Sequence, residues 1–376
     1  MTSAALPDDD ILGADAPELT SQEAVDRSLT TAQTRSAEIE RALAKDAGRF
    51  RVLTGDRPTG RLHLGHYLGT LANRVRLQDA GVDTVLLIAD YQVITDRDDA
   101  GPLVERVRDL TADYLAAGID PERTTIFTHS AIPALNQLMR PFLSLVTDSE
   151  LRRNPTVKAE NEAAGGRPMS GLLLTYPVHQ AADILFCKAN LVPVGKDQLP
   201  HLELTRAIAR RFNERYAGGR SVFPAPDALL SEAVNVLGVD GQKMSKSKRN
   251  TVDIAMSEDE TAKQFKRAVT DSDRHITYDP VNRPEVANLL MIAALCSGGD
   301  PAVLAEEIGD GGGASLKRVV TEAVNERLRP IRVRRRELEA DPAHLQRVLA
   351  DGNARANEIA EATLAEVREA MGMIYT

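Results

Sequence analysis

Two histidines three residues apart, His63 and His66, follow the Gly/Pro turn Thr54-Gly-Asp-Arg-Pro-Thr-Gly60 and stand in His63-Leu-Gly-His66, ahead of Tyr67-Leu-Gly69. On a helix that spacing puts both imidazoles one turn apart on the same side. There they can donate hydrogen bonds to phosphate oxygens as charge builds in a transition state. Gly65 between them lets a purine ring lie flat against the backbone. The bland alternative is two surface histidines on an ordinary helix. A second segment, Lys243-Met-Ser-Lys-Ser247, is preceded by Gly241 and followed by Lys248 and Arg249. Its lysines act as point charges for a leaving pyrophosphate, and its hydroxyls and amides add hydrogen bonds. Alone, such a loop is usually a solvated turn; beside the histidine pair it is far more specific.

The elements that must position these groups are legible in the pattern. Arg51–Thr54 reads as a strand, the turn runs through Gly60, and a helix is expected from Leu64 to Ala80. Asp83–Ala89 and Thr124–Thr128 read as strands, and Leu103–Ala117, closed by Gly118, and Ile132–Val146 as helices. Leu191–Val194 and a region near Val236 are expected to supply further strands. Strands alternating with helices imply an α/β fold, a Rossmann-like open parallel sheet with helices on both faces. The histidine motif then lies at the carboxyl ends of strands, where ligands bind, with a helix N-terminus that favours an anion. After Met256 strand signals fade. Helices are expected over Thr261–Val269, Pro284–Leu295, Ala314–Leu328 and Pro342–Met371, with the glycine cluster Gly309–Gly313 as a flexible loop. The chain thus divides into an acidic, partly helical N-terminal extension (1–48), flexible by composition, a catalytic domain (49–255) and an all-helical C-terminal domain (256–376).

Composition narrows the class. The net charge is −9, yet a nucleic-acid partner depends on the local field rather than the total. The stretch Arg327-Leu-Arg-Pro-Ile-Arg-Val-Arg-Arg-Arg336 is locally very basic, either a solvated helix face or a phosphate contact. The longest apolar runs are strand length, too short to cross a bilayer. The acidic N-terminus does not read as a targeting peptide, and Cys187 and Cys296 stand in no metal or redox spacing, so a cytoplasmic protein without a resident metal is expected.

The paired motifs resemble the two signatures of the class I aminoacyl-tRNA synthetases. The resemblance sharpens to the bacterial tryptophan-specific branch through Gly171–Pro177 with Ala181–Leu185, Val192–Gln198, His201–Arg206, and Ala268–Ser272 with Tyr278-Asp279 and Asn288–Leu290. It covers nearly everything from Phe50 to Gly372 and leaves out the first 48 residues. It implies activation of L-tryptophan with ATP and its transfer to tRNA(Trp), by a homodimer with an inserted dimerisation region and a helical domain that reads the anticodon. Mg2+ would arrive bound mainly to the phosphates, because the motifs supply no carboxylate cage.

Residue by residue, the resemblance makes His63, His66, Lys243 and Lys246 catalytic. The ATP site would comprise Arg57, Pro58, Thr59, Gly65 and His66, the loop Gly195-Lys196-Asp197, the backbone of Val236, and Lys243, Met244, Ser245, Lys246 and Ser247. Asp183 would accept the indole N–H of tryptophan; its other reading is a helix-end or ion-pair aspartate. Tyr176 and Gln198 would approach the substrate's amino group, with Gln180 and Gln92 also in the pocket. Arg140, Arg152 and Arg153 are candidates for a tRNA surface, or solvated charge.

Three departures stand out. The turn has Arg57-Pro58-Thr59 where the family usually has Gln-Pro-Ser, and Arg57 cannot accept a hydrogen bond. Asp90-Tyr91-Gln92 replaces the frequent Asp-Gln-His, and Gln180 replaces a frequent methionine. A glutamine and an aspartate at this spacing also occur in tyrosyl enzymes, so a tyrosine-specific sister is the nearest rival. A small-molecule adenylating enzyme and a regulatory paralogue without charging activity are the others.

Overall fold

In the computed structural model the chain is described over residues 21–95, 100–163, 168–230, 236–245 and 248–375. Five strands, β1 (Arg51–Asp56), β2 (Asp83–Ile88), β3 (Thr124–Thr128), β4 (Leu191–Val194) and β5 (Asp227–Leu230), form one parallel sheet in the order β3-β2-β1-β4-β5. β2 and β4 are near-continuous apolar runs, as expected of strands covered on both faces. In β2 and β3, Leu86, Ile88 and Ile126 point into one core while Val85, Leu87 and Phe127 point into the other. The winding direction reverses between β1 and β4, which opens a crevice at the carboxyl ends of those strands.

The helices expected at Leu103–Ala117 (α4), after Ile132 (α5, Pro133–Leu143) and at Pro284 (α11, Pro284–Ser297) are present. The helix after the histidine motif is interrupted. A short turn α2 (Leu64–His66) passes through a π-helical segment (Tyr67–Leu71) before α3 (Ala72–Asp79). Such segments recur at functional sites because they re-aim side chains. The strand expected near Val236 is instead β5, a little earlier; Val236 itself is buried and Leu237 makes only an isolated bridge to Lys243.

Both edges of the sheet are covered by terminal segments, contrary to the expected domain division. The extension is not a loose tail from residue 21 onward: α1 (Ser21–Leu43) packs along β5. Ser36 Oγ accepts the Leu230 N–H at 2.8 Å and donates to Ala228 O at 3.3 Å, satisfying an edge that would otherwise invite pairing. At the other edge α14 (Pro342–Ala370) lies on β3. Asn353 Oδ1 accepts the Thr128 N–H at 3.0 Å, and a Cβ at Gly352 would collide with the Ile126 carbonyl, so only glycine permits the approach. The C-terminal helix therefore packs on the sheet, and the remaining helical unit, α10 (Glu258–Lys266), α11, α12 (Pro301–Ile308) and α13 (Gly312–Glu339), shares one core with α4, β2 and β3. The glycine cluster is a tight turn over Gly309–Gly311 that leads straight into α13, not a loose loop. Among the described residues no single helix is long and apolar enough to cross a membrane.

Candidate active site

Four elements converge on the crevice. β1 delivers the turn from Thr54, β2 is followed by a 3-10 turn over Tyr91–Ile94, and β4 runs into Gly195-Lys-Asp-Gln198. Alongside them α8 (Gly171–Leu185) is started by Ser170, whose Oγ accepts the Leu173 N–H at 3.0 Å. On α8, Tyr176, Gln180 and Asp183 fall on one face by helical spacing. They line a cleft of ≈ 380 Å³ together with Arg57, Gln92, Gly195 and Gln198.

Asp183 is 1% exposed. Its Oδ1 accepts a hydrogen bond from His129 Nε2 at 2.7 Å, while its Oδ2 is buried without a partner. His129 stacks against His179, ring centroids 4.5 Å apart, and Tyr91 covers it at 6.2 Å. Asn136 fixes this pair: its Nδ2 donates to His129 O and Ile132 O, so its Oδ1 must be the acceptor at His179 Nε2, 2.9 Å away. Burial holds the His179 pKa below its usual range, partly opposed by Asp183. His129, His179 and Asp183 bring metal-capable atoms within 4.8 Å. The 2.7 Å His129–Asp183 contact and the tilted packing of the two rings join them in one buried polar cluster.

Across the cleft, the Tyr176 hydroxyl meets His201 Nε2 at 3.0 Å. Burial, reinforced by Glu160, raises the Tyr176 pKa, so the phenol stays protonated and can donate. Burial brings His201 down to about 4, against the pull of Asp197. Arg57 lines the same cleft as Tyr176, and its charge partly opposes the upward shift of that phenol.

The floor carries a buried ionic group. Arg74 pairs with Asp56 and donates to Thr54 Oγ1 at 3.0 Å and Gly55 O at 3.1 Å; the Tyr114 hydroxyl donates to Asp56 Oδ2 at 2.7 Å. Burial alone would raise Asp56, but Arg74 and Tyr114 outweigh it and hold the carboxyl at about 2.

The histidine pair lies outside this cleft lining, as do Pro58, Thr59, Lys196, Asp197, Val236 and Lys243. His63 caps α2, and its ring centroid lies 3.7 Å from that of His66. His66 Nδ1 accepts the His63 N–H at 3.3 Å, so Nε2 is the ring nitrogen that carries the donor hydrogen. A Cβ at Gly65 would lie 3.1 Å from the His63 ring and 3.3 Å from Met244 Sδ, so the two signature segments are in contact. Lys243 is exposed and Ser245 partly so; Lys246 and Ser247 lie outside the described residues. The loop is shaped by Asn250, which accepts the Ser245 N–H at 2.8 Å and donates to Asp240 Oδ1 at 2.8 Å and Lys243 O at 3.1 Å.

Asn250, His129, His179 and the Asp56–Arg74 pair were not singled out by sequence reasoning. Only Asp56 carried a local signal, an acidic residue inside the turn motif. The basic run also resolves differently. Arg332 and Arg335 are buried, Arg327 lies over the Tyr67 ring, and Arg329 pairs with Glu258 and Glu326. Arg152 pairs with Asp148, and Arg153 donates to Ser149 O on its own helix.

Residues 45–329 match the family model for tRNA synthetases class I (W and Y). The chain belongs to that family. Within it, the similarity runs to the tryptophan branch: the Tryptophan--tRNA ligase of Treponema pallidum is 41% identical over 345 residues, covering 86% of this chain and 97% of that protein. The ligase of the same name from Thermotoga maritima is 38% identical over 338 residues, covering 87% and 100%. The crystal structure of Tryptophanyl-tRNA Synthetase from Campylobacter jejuni complexed with ADP and tryptophan superimposes with a TM-score of 0.74 at 33% identity, covering 86% of this chain and 99% of that one.

Proposed function

We propose that the chain activates L-tryptophan with ATP, releasing pyrophosphate, and then transfers tryptophan from the adenylate to the 3′ end of tRNA(Trp). The observation that carries the reading is Asp183. One oxygen is fixed by His129 and the other is buried, unpartnered and at the wall of the cleft. A buried acceptor left open calls for one N–H on an otherwise apolar ligand, and a site built this way rejects analogues lacking the donor. Tyr176 and Gln198, both in the cleft lining, are assigned to the substrate's amino group.

The reaction needs no covalent enzyme intermediate. The tryptophan carboxylate attacks the α-phosphorus in line, and the bond to pyrophosphate breaks. The cleft orients the carboxylate. His63 and His66 donate to the phosphoryl oxygens, and Lys243 with Lys246 draws charge toward the leaving pyrophosphate. These cationic and N–H donors suit an ATP whose Mg2+ rides on its phosphates; bound there, the ion would neutralise phosphate charge. The helical unit α10–α13 is the region for anticodon contacts, and we place the enzyme in the cytoplasm as a homodimer.

Amino-acid-dependent exchange of labelled pyrophosphate into ATP tests the reading with tryptophan, tyrosine and phenylalanine. Exchange with tryptophan alone is expected. Exchange with tyrosine would move the assignment to the sister specificity, and no exchange with any would favour a regulatory paralogue.

A further inference from the structure

Leu62 immediately precedes His63, and its backbone N–H donates to Asp113 Oδ2 at 2.8 Å. Asp113 lies within α4 and is fully buried. Its other oxygen accepts from Arg335 Nε at 2.6 Å. Arg335 belongs to α13, 222 residues further along the chain, and is 3% exposed. The guanidinium is steadied by Glu339 on its own helix and by Asp109 at 3.5 Å; Asp109 also faces Arg61 at 3.7 Å. On the opposite side the same backbone is strapped by the segment that follows the lysine loop. Ile254 N–H donates to Leu62 O at 3.1 Å, and Leu64 N–H donates to Val252 O at 2.8 Å.

A buried ion pair is poor evidence of stabilisation, since apolar residues of the same shape usually pack as well or better. The surroundings here are already apolar: Leu110, Leu328, Ile331 and Leu338 belong to the same core. What an apolar pair cannot do is accept the Leu62 N–H. A carboxylate can, provided its second oxygen and its charge are neutralised, and Arg335 does both.

We propose that Asp113 and Arg335 are positioning residues for the activation step. From the helical unit they fix the backbone at Leu62, and so the aim of His63 and His66. The inference rests on the adenylation proposed above. It predicts that disturbing the pair slows the phosphoryl step and frees the Leu62 amide while leaving tryptophan binding intact.

The test compares Asp113→Asn, Arg335→Gln and Arg335→Lys with Arg332→Gln as control. Arg332 lies one turn away on α13, is buried, and donates to Thr261 Oγ1 at 2.7 Å and Asn325 Oδ1 at 2.8 Å, within the helical unit. In Asp113→Asn the new amide must face either the Leu62 N–H or Arg335, donor against donor. The expected result is a kcat for tryptophan-dependent pyrophosphate exchange lower by roughly tenfold to 100-fold, the cost of slight misplacement, with KM for tryptophan unchanged. Arg335→Lys should fall between parent and Arg335→Gln, and it carries the test if Asp113→Asn does not fold. Hydrogen–deuterium exchange in the peptide spanning Leu62 should quicken in the same variants, a readout independent of turnover. Arg332→Gln should lower Tm yet leave kcat and that peptide as in the parent. Folded Asp113→Asn and Arg335→Gln proteins with kcat within twofold of the parent and an unchanged peptide would overturn the proposal. So would an equal loss of kcat in Arg332→Gln. Failure of the parent to exchange counts instead against the adenylation reading, and the peptide protection still decides the positioning claim.

Discussion

His129 donates its Nε2–H to Asp183 Oδ1 at 2.7 Å, leaving Oδ2 of this cleft-lining aspartate buried and without a partner. His129 Nδ1 is buried without a partner, so Nε2 makes the ring's one hydrogen bond, to Asp183. One histidine therefore orients the carboxylate and keeps half of its hydrogen-bonding capacity for a ligand.

Asp183→Asn should cut kcat/KM for tryptophan by on the order of 100-fold or more, because a specific acceptor becomes an amide that can oppose the indole N–H. His129→Gln keeps a donor within reach and should cost less than His129→Phe, which leaves both oxygens of Asp183 unpaired in the interior. Pyrophosphate exchange kinetics for the three variants give the order directly. If His129→Phe matched the parent, Asp183 would not depend on its histidine.

His201 gives the fold a pH dependence of known sign. Burial lowers its pKa to about 4, whereas the unfolded chain protonates near the ordinary value of about 6.5. Its contribution is fully present above about pH 6.5 and is lost as pH falls toward 4, on the order of 3 kcal/mol in total. His179 is shifted the same way. Asp56, held at about 2, loses its contribution only below the usual carboxylate range, so the two windows separate. Urea unfolding at pH 7, 6, 5 and 4 should show stability falling through this interval in the parent. The slope should be shallower in His201→Gln, and equal slopes would remove His201 from the account.

What the sequence disclosed follows from which interactions are local. β3 and α4 were legible because a β-branched and aromatic run and a glycine after the last helical turn are signals within a dozen residues. β5 was not: Asp227-Ala-Leu-Leu230 is short, and it is held as a strand by β4 and by Ser36, 194 residues away from Leu230. Asp183 could be named from its motif, but its orientation depends on His129, 54 residues earlier, and on a stack that no spacing reveals. Arg335 was hidden in a basic run that reads as solvated, because the partner that buries it lies on α4.

Ser36→Ala should destabilise the protein by about 1–3 kcal/mol, since the Leu230 N–H loses its acceptor at an edge covered by α1. Exchange activity measured well below Tm should be unaffected, because Ser36 and the other described residues of α1 are not in the cleft lining. A variant lacking residues 1–46 should self-associate through the exposed β5 edge, visible by light scattering. A truncated protein that stays at its parent oligomeric state and Tm would mean the extension has no such role.

The Asp56–Arg74 pair distinguishes breaking a buried charge from replacing it. The Arg74 side chain is 5% exposed and balances a carboxylate at the cleft floor that also receives the Tyr114 hydroxyl. Arg74→Met alone leaves Asp56 uncompensated and should cost about 3–5 kcal/mol. Adding Asp56→Val removes the stranded charge, so the double variant should recover much of that loss. It should not recover all of it, because the Tyr114 hydroxyl then lacks an acceptor and Thr54 and Gly55 lose their donor. Urea midpoints of parent, both single variants and the double give the coupling. A double variant no more stable than Arg74→Met would show that the cost lies in the lost guanidinium contacts to β1 rather than in the unpaired carboxylate.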